Sequence, residues 1–169
     1  GDYTISTDVF VPESTTLGSN GNFVYCFSHS SDKGYLFFGA NSSRYSITRT
    51  NWNGEQTVNA NLALPKGEWL NLLVVQKDKK ATIYFNGVAK ASADITLHPS
   101  EVGATVQNWL GRSPYNGDVD LKGARYADFR IYGEALSDSE IAELGKNKTL
   151  NALNAEIFGK QIDEAMAAM

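Results

Sequence analysis

The stretch from Trp69 to Val88 restricts the fold more than any other part of the chain. Trp69-Leu70-Asn71-Leu72-Leu73-Val74-Val75 is almost unbroken apolar sequence and reads as a central strand covered on both faces. Asp78-Lys79-Lys80 supplies a turn, and Thr82-Ile83-Tyr84-Phe85 a partner strand. Asn86-Gly87 is the dipeptide favoured by type I′ hairpin turns, where both central residues take positive φ. Val88 to Ala91 can then pair back.

The rest of the first 133 residues has the same texture. From Tyr3 to Val11 the odd positions Tyr3, Ile5, Thr7, Val9 and Val11 share one face, with Thr4, Ser6 and Asp8 on the other. That alternation predicts a half-buried strand, ended by Pro12. Turns at Asn20-Gly21-Asn22, Asp32-Lys33-Gly34 and Asn53-Gly54 separate strands at Phe23 to Ser28, Tyr35 to Phe38, Arg44 to Thr48 and Gln56 to Val58. Further strands are expected around Val106 to Leu110 and Tyr126 to Tyr132. About ten short strands with frequent turns predict an all-β antiparallel sandwich or barrel. After Gly133 the pattern changes. Ser137-Asp138-Ser139-Glu140 has capping-box spacing and opens a short helix through Leu144, with Gly145 as its expected C-cap. A second helix begins at Thr149, with Leu150, Leu153 and Ile157 on one stripe and Phe158, Ile162, Ala165 and Met169 adjoining it.

Composition removes several function classes. With 15 basic against 19 acidic residues there is no electrostatic basis for a nucleic-acid surface. No run approaches the ~20 apolar residues of a membrane span. The single cysteine, Cys26, cannot form an internal disulfide, and its apolar setting reads as a core thiol. A chain opening Gly1-Asp2-Tyr3, without Met, is expected to be a processed or cut segment.

Glycosidic cleavage by a retaining mechanism needs two carboxyl groups about 5–5.5 Å apart. Asp118 and Asp120 alternate, but within Ser113-Pro114-Tyr115-Asn116-Gly117-Asp118-Val119-Asp120, which reads as a loop. Acids in such loops form turns or hold cations. Neither His29 nor His98 sits in a nucleophile or zinc motif. Calcium leaves little trace in sequence, and Asp118, Asp120 and Asp128 are its candidate ligands. Sugar binding asks for aromatic faces in loops with amides or guanidinium groups nearby. Trp52 in Asn51-Trp52-Asn53-Gly54 and Tyr115, with Arg112 and Asn116 beside it, meet that requirement. Trp69 and Trp109 lie in strands and are expected in the core.

Several segments together resemble one family. Gly67-Glu68-Trp69 followed by Ala81 to Val88 is similar to the "G-x-W … L-Y-V-N/D-G" core of laminin-G-like modules in the concanavalin A-like lectin/glucanase superfamily. Asn108-Trp109-Leu110-Gly111-Arg112-Ser113 resembles its "N-W-[IL]-G-R-S" segment. Ala127 to Tyr132, with Ala135-Leu136-Ser137 and Glu140-Ile141, resembles its closing segment. Tyr3-Thr4-Ile5-Ser6-Thr7 resembles "F-T-I-S-x-W", with Asp8 where tryptophan is usual. The resemblance covers about Asp2 to Leu144 and leaves 145–169 as a helical tail, linker or start of a next domain.

The resemblance implies a two-sheet antiparallel jelly roll with a short capping helix. It also implies a non-catalytic carbohydrate-binding or accessory module of a larger exported bacterial glycoside-hydrolase-like protein. Such a module would be secreted, periplasmic or cell-surface, with a polysaccharide or oligosaccharide and the adjacent domain of the parent chain as partners. Calcium occurs near the first and last strands of many members. The family's usual opening strand, before "F-T-I-S", has no counterpart here, so an edge strand is expected to be absent or replaced. A structural module packing against a neighbouring domain is the alternative. A glycosidase is the weakest reading, because the alternating strand acids of the catalytic members are missing.

Overall fold

The computed structural model describes residues 1–18, 20–146 and 148–169, and for 148–156 the backbone only. Among these described residues ten strands form two five-stranded antiparallel sheets. The strands are β1 (Tyr3–Phe10), β2 (Phe23–Ser28), β3 (Tyr35–Gly39), β4 (Arg44–Thr48), β5 (Gln56–Asn59), β6 (Trp69–Lys77), β7 (Lys80–Phe85), β8 (Val88–Asp94), β9 (Gln107–Leu110) and β10 (Arg125–Tyr132). The first sheet runs β10-β1-β6-β7-β8 and the second β5-β4-β3-β2-β9. After β10 come the α-helices α1 (Asp138–Gly145) and α2 (Lys148–Ala167). This is the antiparallel sandwich that the strand and turn signals predict, in the two-sheet jelly-roll form that the resemblance implies. Among the described residues no helix is long and apolar enough to cross a membrane.

The core lies between the sheets. Val9, Leu72, Val74 and Ile83 of the first sheet meet Tyr25, Phe38, Tyr45 and Ile47 of the second. Full burial of a large apolar side chain contributes about 1.5–3 kcal/mol, so this layer carries most of the stability. The apolar run of β6 sits between β1 and β7 and is buried from Leu70 to Gln76, as its composition predicts. Asn86 and Gly87 take φ of 49° and 78°, the positive pair of a type I′ turn.

Two strands depart from the alternation that their residues suggest. A register shift between Phe23 and Tyr25 turns Phe23 onto the outer face of the second sheet, where its ring stacks 3.8 Å from that of Phe37. A shift in the β1–β10 pairing, with Asp128 at φ 53°, aims Phe129 inward, 5.7 Å from Tyr25. Such bulges re-aim a side chain by inserting one residue.

The expectation of a half-buried β1 is overturned. Its polar face is buried as well, with Thr4, Ser6 and Asp8 at 0%, 2% and 3% exposure. The segment after Gly133 folds over this face. Thr4 Oγ1 donates to the Glu134 carbonyl and accepts from the Leu136 amide, and Asn71 Nδ2 donates to Asp8 at 3.0 Å. Leu136 and Ile141 pack on Leu73 and Val75 of β6. Ser137 and Glu140 form the predicted capping box, with Glu140 Oε2 accepting from the Ser137 amide at 2.8 Å.

Gly145 lies inside α1 and Lys146 is the C-cap, against expectation. The reason is close approach: a Cβ at Gly145 would sit 2.5 Å from the backbone of Asn86 and Gly87. Trp69 and Trp109 are half-buried rather than core. Trp69 leans on Phe10 at a strand end, and Trp109 stands on an edge strand. Of the second helical stripe, Leu150 and Leu153 lie outside the residues whose side chains are described. Ile157, Phe158, Ile162, Met166 and Met169 are exposed.

Candidate functional site

The outer face of the second sheet is apolar at its centre. Phe23, Cys26, Tyr35 and Phe37 form a small buried cluster there, and Tyr115 packs on it from the loop between β9 and β10. Tyr115 meets Tyr35 edge-on, with ring centroids 5.8 Å apart. Burial pushes the Cys26 thiol up to about 12, so the thiolate needed for nucleophilic chemistry is scarce at neutral pH.

Beside this cluster opens a cleft of about 660 Å³. Phe23 and Phe37 lie at its base; Trp52, Tyr115, Asn116 and Asp118 reach it from loops. The polar lining comes from Asn20, Asn41, Ser42, Arg44, Glu55 and Asn59. Trp52 sits on a 3-10 turn over Trp52–Gly54, where the Asn51 side chain accepts from the Asn53 amide. Trp52 as a residue is 65% exposed, as a stacking platform requires.

Arg44 and Glu55 set the electrostatics. Arg44 Nη1 donates to Glu55 Oε2 at 2.7 Å, and its guanidinium carbon lies 4.8 Å from the Phe37 ring centroid. Tyr35 donates to Glu55 Oε1 at 2.7 Å. Burial first, then the hydrogen bonds with Glu55 and Tyr115, raises the Tyr35 hydroxyl far above the ordinary tyrosine range. Tyr35 therefore remains a donor. Glu55 is held by both partners, with its side chain only 9% exposed.

The rim is organised by Asn22, which is fully buried. Its Oδ1 accepts from the Gly18 amide at 2.6 Å, and its Nδ2 donates to the Thr16 and Asp120 carbonyls. Its backbone amide donates to the Val119 carbonyl at 2.6 Å. Asn tolerates the φ of 54° found there. Neighbouring Gly21, at φ 86°, comes so close that a Cβ would lie 2.5 Å from the Val119 carbonyl oxygen. Together these two residues bind the 118–120 segment to the start of β2.

Trp52, Tyr115 and Asn116 therefore converge on one cleft although they are far apart in sequence. Arg112 does not join them. Its guanidinium stacks 4.3 Å from the Trp109 centroid on the same face of the sheet. Asp118 lines the cleft and accepts from Ser113 at 2.5 Å. Asp120 is exposed and does not line the cleft. Asp128 is paired with Arg130 at 2.7 Å. Among the described residues no three His, Cys, Asp or Glu side chains gather as a metal site. Sequence reasoning missed Arg44 and Asn59 on strands and Asn41 and Glu55 in turns, because single polar residues at such places usually carry no function. The signal that could have found them was in β2 and β3, where apolar residues occupy both faces.

The family model described as the concanavalin A-like lectin/glucanases superfamily, of laminin-G type, matches residues 1–142. The chain belongs to this superfamily. Comparison with curated protein sequences gives no significant match. Among solved structures of the superfamily's fold, one similar chain is domain 4 of AbnA, a GH43 extracellular arabinanase from Geobacillus stearothermophilus, in complex with arabinotriose. It has a TM-score of 0.64 and 19% identity over 85% of this chain and 66% of that one. Another is the CBM40 of the Ruminococcus gnavus IT-sialidase bound to α2,3 sialyllactose, with a TM-score of 0.64 and 16% identity over 85% and 82% of the two chains. A structure of botulinum neurotoxin type C, whose cell entry is dependent upon interaction with two ganglioside molecules, has a TM-score of 0.63 and 13% identity. It aligns over 86% of this chain, which spans 35% of the toxin chain. At these identities the likeness establishes the fold.

Proposed function

We propose that the chain is a non-catalytic carbohydrate-binding module and that the cleft on the second sheet holds the glycan. The observation that carries this reading is the convergence of an exposed Trp52 and a half-buried Tyr115 on a cleft lined by asparagine amides. Aromatic faces stack on the C–H faces of a pyranose or furanose, and amides bond its hydroxyls. The arabinanase and sialidase domains of similar fold, both bound to oligosaccharides, support it. They also support an accessory role in a larger exported glycoside-hydrolase-like protein. A hydrolytic role through Asp118 and Asp120 lacks its pair, because Asp120 does not line the cleft, and the other carboxylate there, Glu55, is engaged by Arg44 and Tyr35.

Affinity electrophoresis against a broad panel of soluble polysaccharides tests the reading. Retardation of the native chain by at least one polymer, lost in Trp52→Ala, is the expected result. Migration unaffected by every polymer would sink it.

A second reading, a module that packs against a neighbouring domain, is favoured by the exposed Phe158, Ile162 and Met166 on α2. Removing residues 149–169 leaves glycan retardation unchanged if the cleft carries the function.

A further inference from the structure

Resting on the proposed glycan site, we propose that the cleft selects uncharged sugars and rejects uronic, sialic and sulfated ones. Among the described residues, the charged side chains lining it are Arg44, Glu55 and Asp118. One positive charge thus stands against two negative ones. An anionic sugar would need Arg44 as its counter-charge, and Arg44 is already committed. Its Nη1 bonds Glu55 at 2.7 Å and its guanidinium carbon lies 4.8 Å from the Phe37 ring centroid. Glu55 is in turn fixed by Tyr35, so releasing Arg44 would strand a carboxylate whose side chain is 9% exposed.

Asp118 adds the opposing field. It lines the cleft beside Tyr115 and Asn116, and among the described residues no cation lies within ion-pair distance of it. Ser113 satisfies one carboxylate oxygen, Oδ2. The other oxygen can accept from a sugar hydroxyl. A neutral polyol supplies that donor, whereas a sugar carboxylate or sulfate would meet like charge. The exposed Asn116 and the Asn59 amide, whose Oδ1 alone is engaged by the Asn61 backbone, add neutral groups that suit hydroxyls.

The test uses the full chain at about 0.15 M salt, where the Debye length is ~8 Å and general repulsion by the acidic protein is screened. A neutral polysaccharide that retards the chain is compared with its lightly carboxymethylated derivative by affinity electrophoresis and titration calorimetry. Binding weakened roughly tenfold or more by carboxymethylation is expected. Asp118→Asn keeps the Ser113 contact and should narrow that gap; its circular dichroism checks the fold. Equal or tighter binding of the carboxymethylated polymer, lost in Trp52→Ala, overturns the selectivity and leaves the glycan site standing. A gap unchanged in a folded Asp118→Asn also overturns it. Failure of every neutral and anionic polymer to bind overturns the glycan site, and the selectivity with it.

Discussion

The two sheets have the same strand number, yet their outer faces are covered in different ways. On the first sheet, Leu73 and Val75 are closed over by Leu136 and Ile141 from the segment that ends in α1. On the second, Phe23, Tyr35 and Phe37 are roofed by Tyr115, and an open cleft remains beside them. The difference lies in the kind of segment that covers each face. A capped helix covers the apolar centre of its face, and the cleft of about 710 Å³ left beside it is rimmed by Lys77, Asp78, Lys80, Thr82 and Ser92 rather than by loop aromatics. A loop of Pro, Tyr, Asn and Gly brings isolated side chains and leaves room for a ligand.

The largest expected effect concerns how dry the open face is beneath its aromatics. Cys26 is fully buried in that layer, and its thiol is raised to about 12 by burial. Labelling by a thiol reagent at pH 8.5 should be slower in the native chain than in denaturant by ~10³-fold or more. Comparable rates would mean that the cleft floor is wet. The same burial couples stability to pH. A thiol raised in the folded state contributes stability below its unfolded value of ~8.5, and that contribution is lost as pH climbs towards about 12. Denaturant midpoints should therefore fall across that window.

On the helix-covered face, Leu73→Ala should cost about 2–5 kcal/mol in denaturant unfolding, because the cavity lies between β6 and α1. Asn22→Ala, on the open side, should cost about 2–4 kcal/mol. It places alanine at positive φ and orphans the Gly18 amide and the Thr16 and Asp120 carbonyls. Glycan retention should fall with it, whereas Leu73→Ala should leave retention intact in the folded fraction. Gly145→Ala should cost about 1–3 kcal/mol, because α1 must back away from the Asn86-Gly87 turn. Trp52→Ala should shift stability by under about 0.5 kcal/mol, since the residue is 65% exposed. A large loss there would show that Trp52 braces the fold rather than waiting for a ligand.

Much of the scaffold was legible in the residues. The apolar run of β6, the Asn86-Gly87 turn and the Ser137/Glu140 capping box are local signals, and each has one favourable local answer. Trp52, Tyr115 and Asn116 were legible as loop groups suited to sugars. Their meeting in one cleft was not, nor was the departure of Arg112 to the face of Trp109. Those outcomes depend on strand order and on bulges. One inserted residue in β2 moves Phe23 from the core side to the cleft floor, and composition does not reveal it.

The sequence by itself determined the strand count, the hairpin turns and the start of α1, because pleat alternation, positive-φ turn residues and capping act within a few residues. It also supplied the motifs that mark the superfamily. Tertiary structure alone decided that the polar face of β1 is buried, that Gly145 is a contact point rather than a cap, and that Arg44 is held by Glu55. Each of these joins residues between 11 and 132 positions apart, and a pattern confined to neighbours carries no record of such distances.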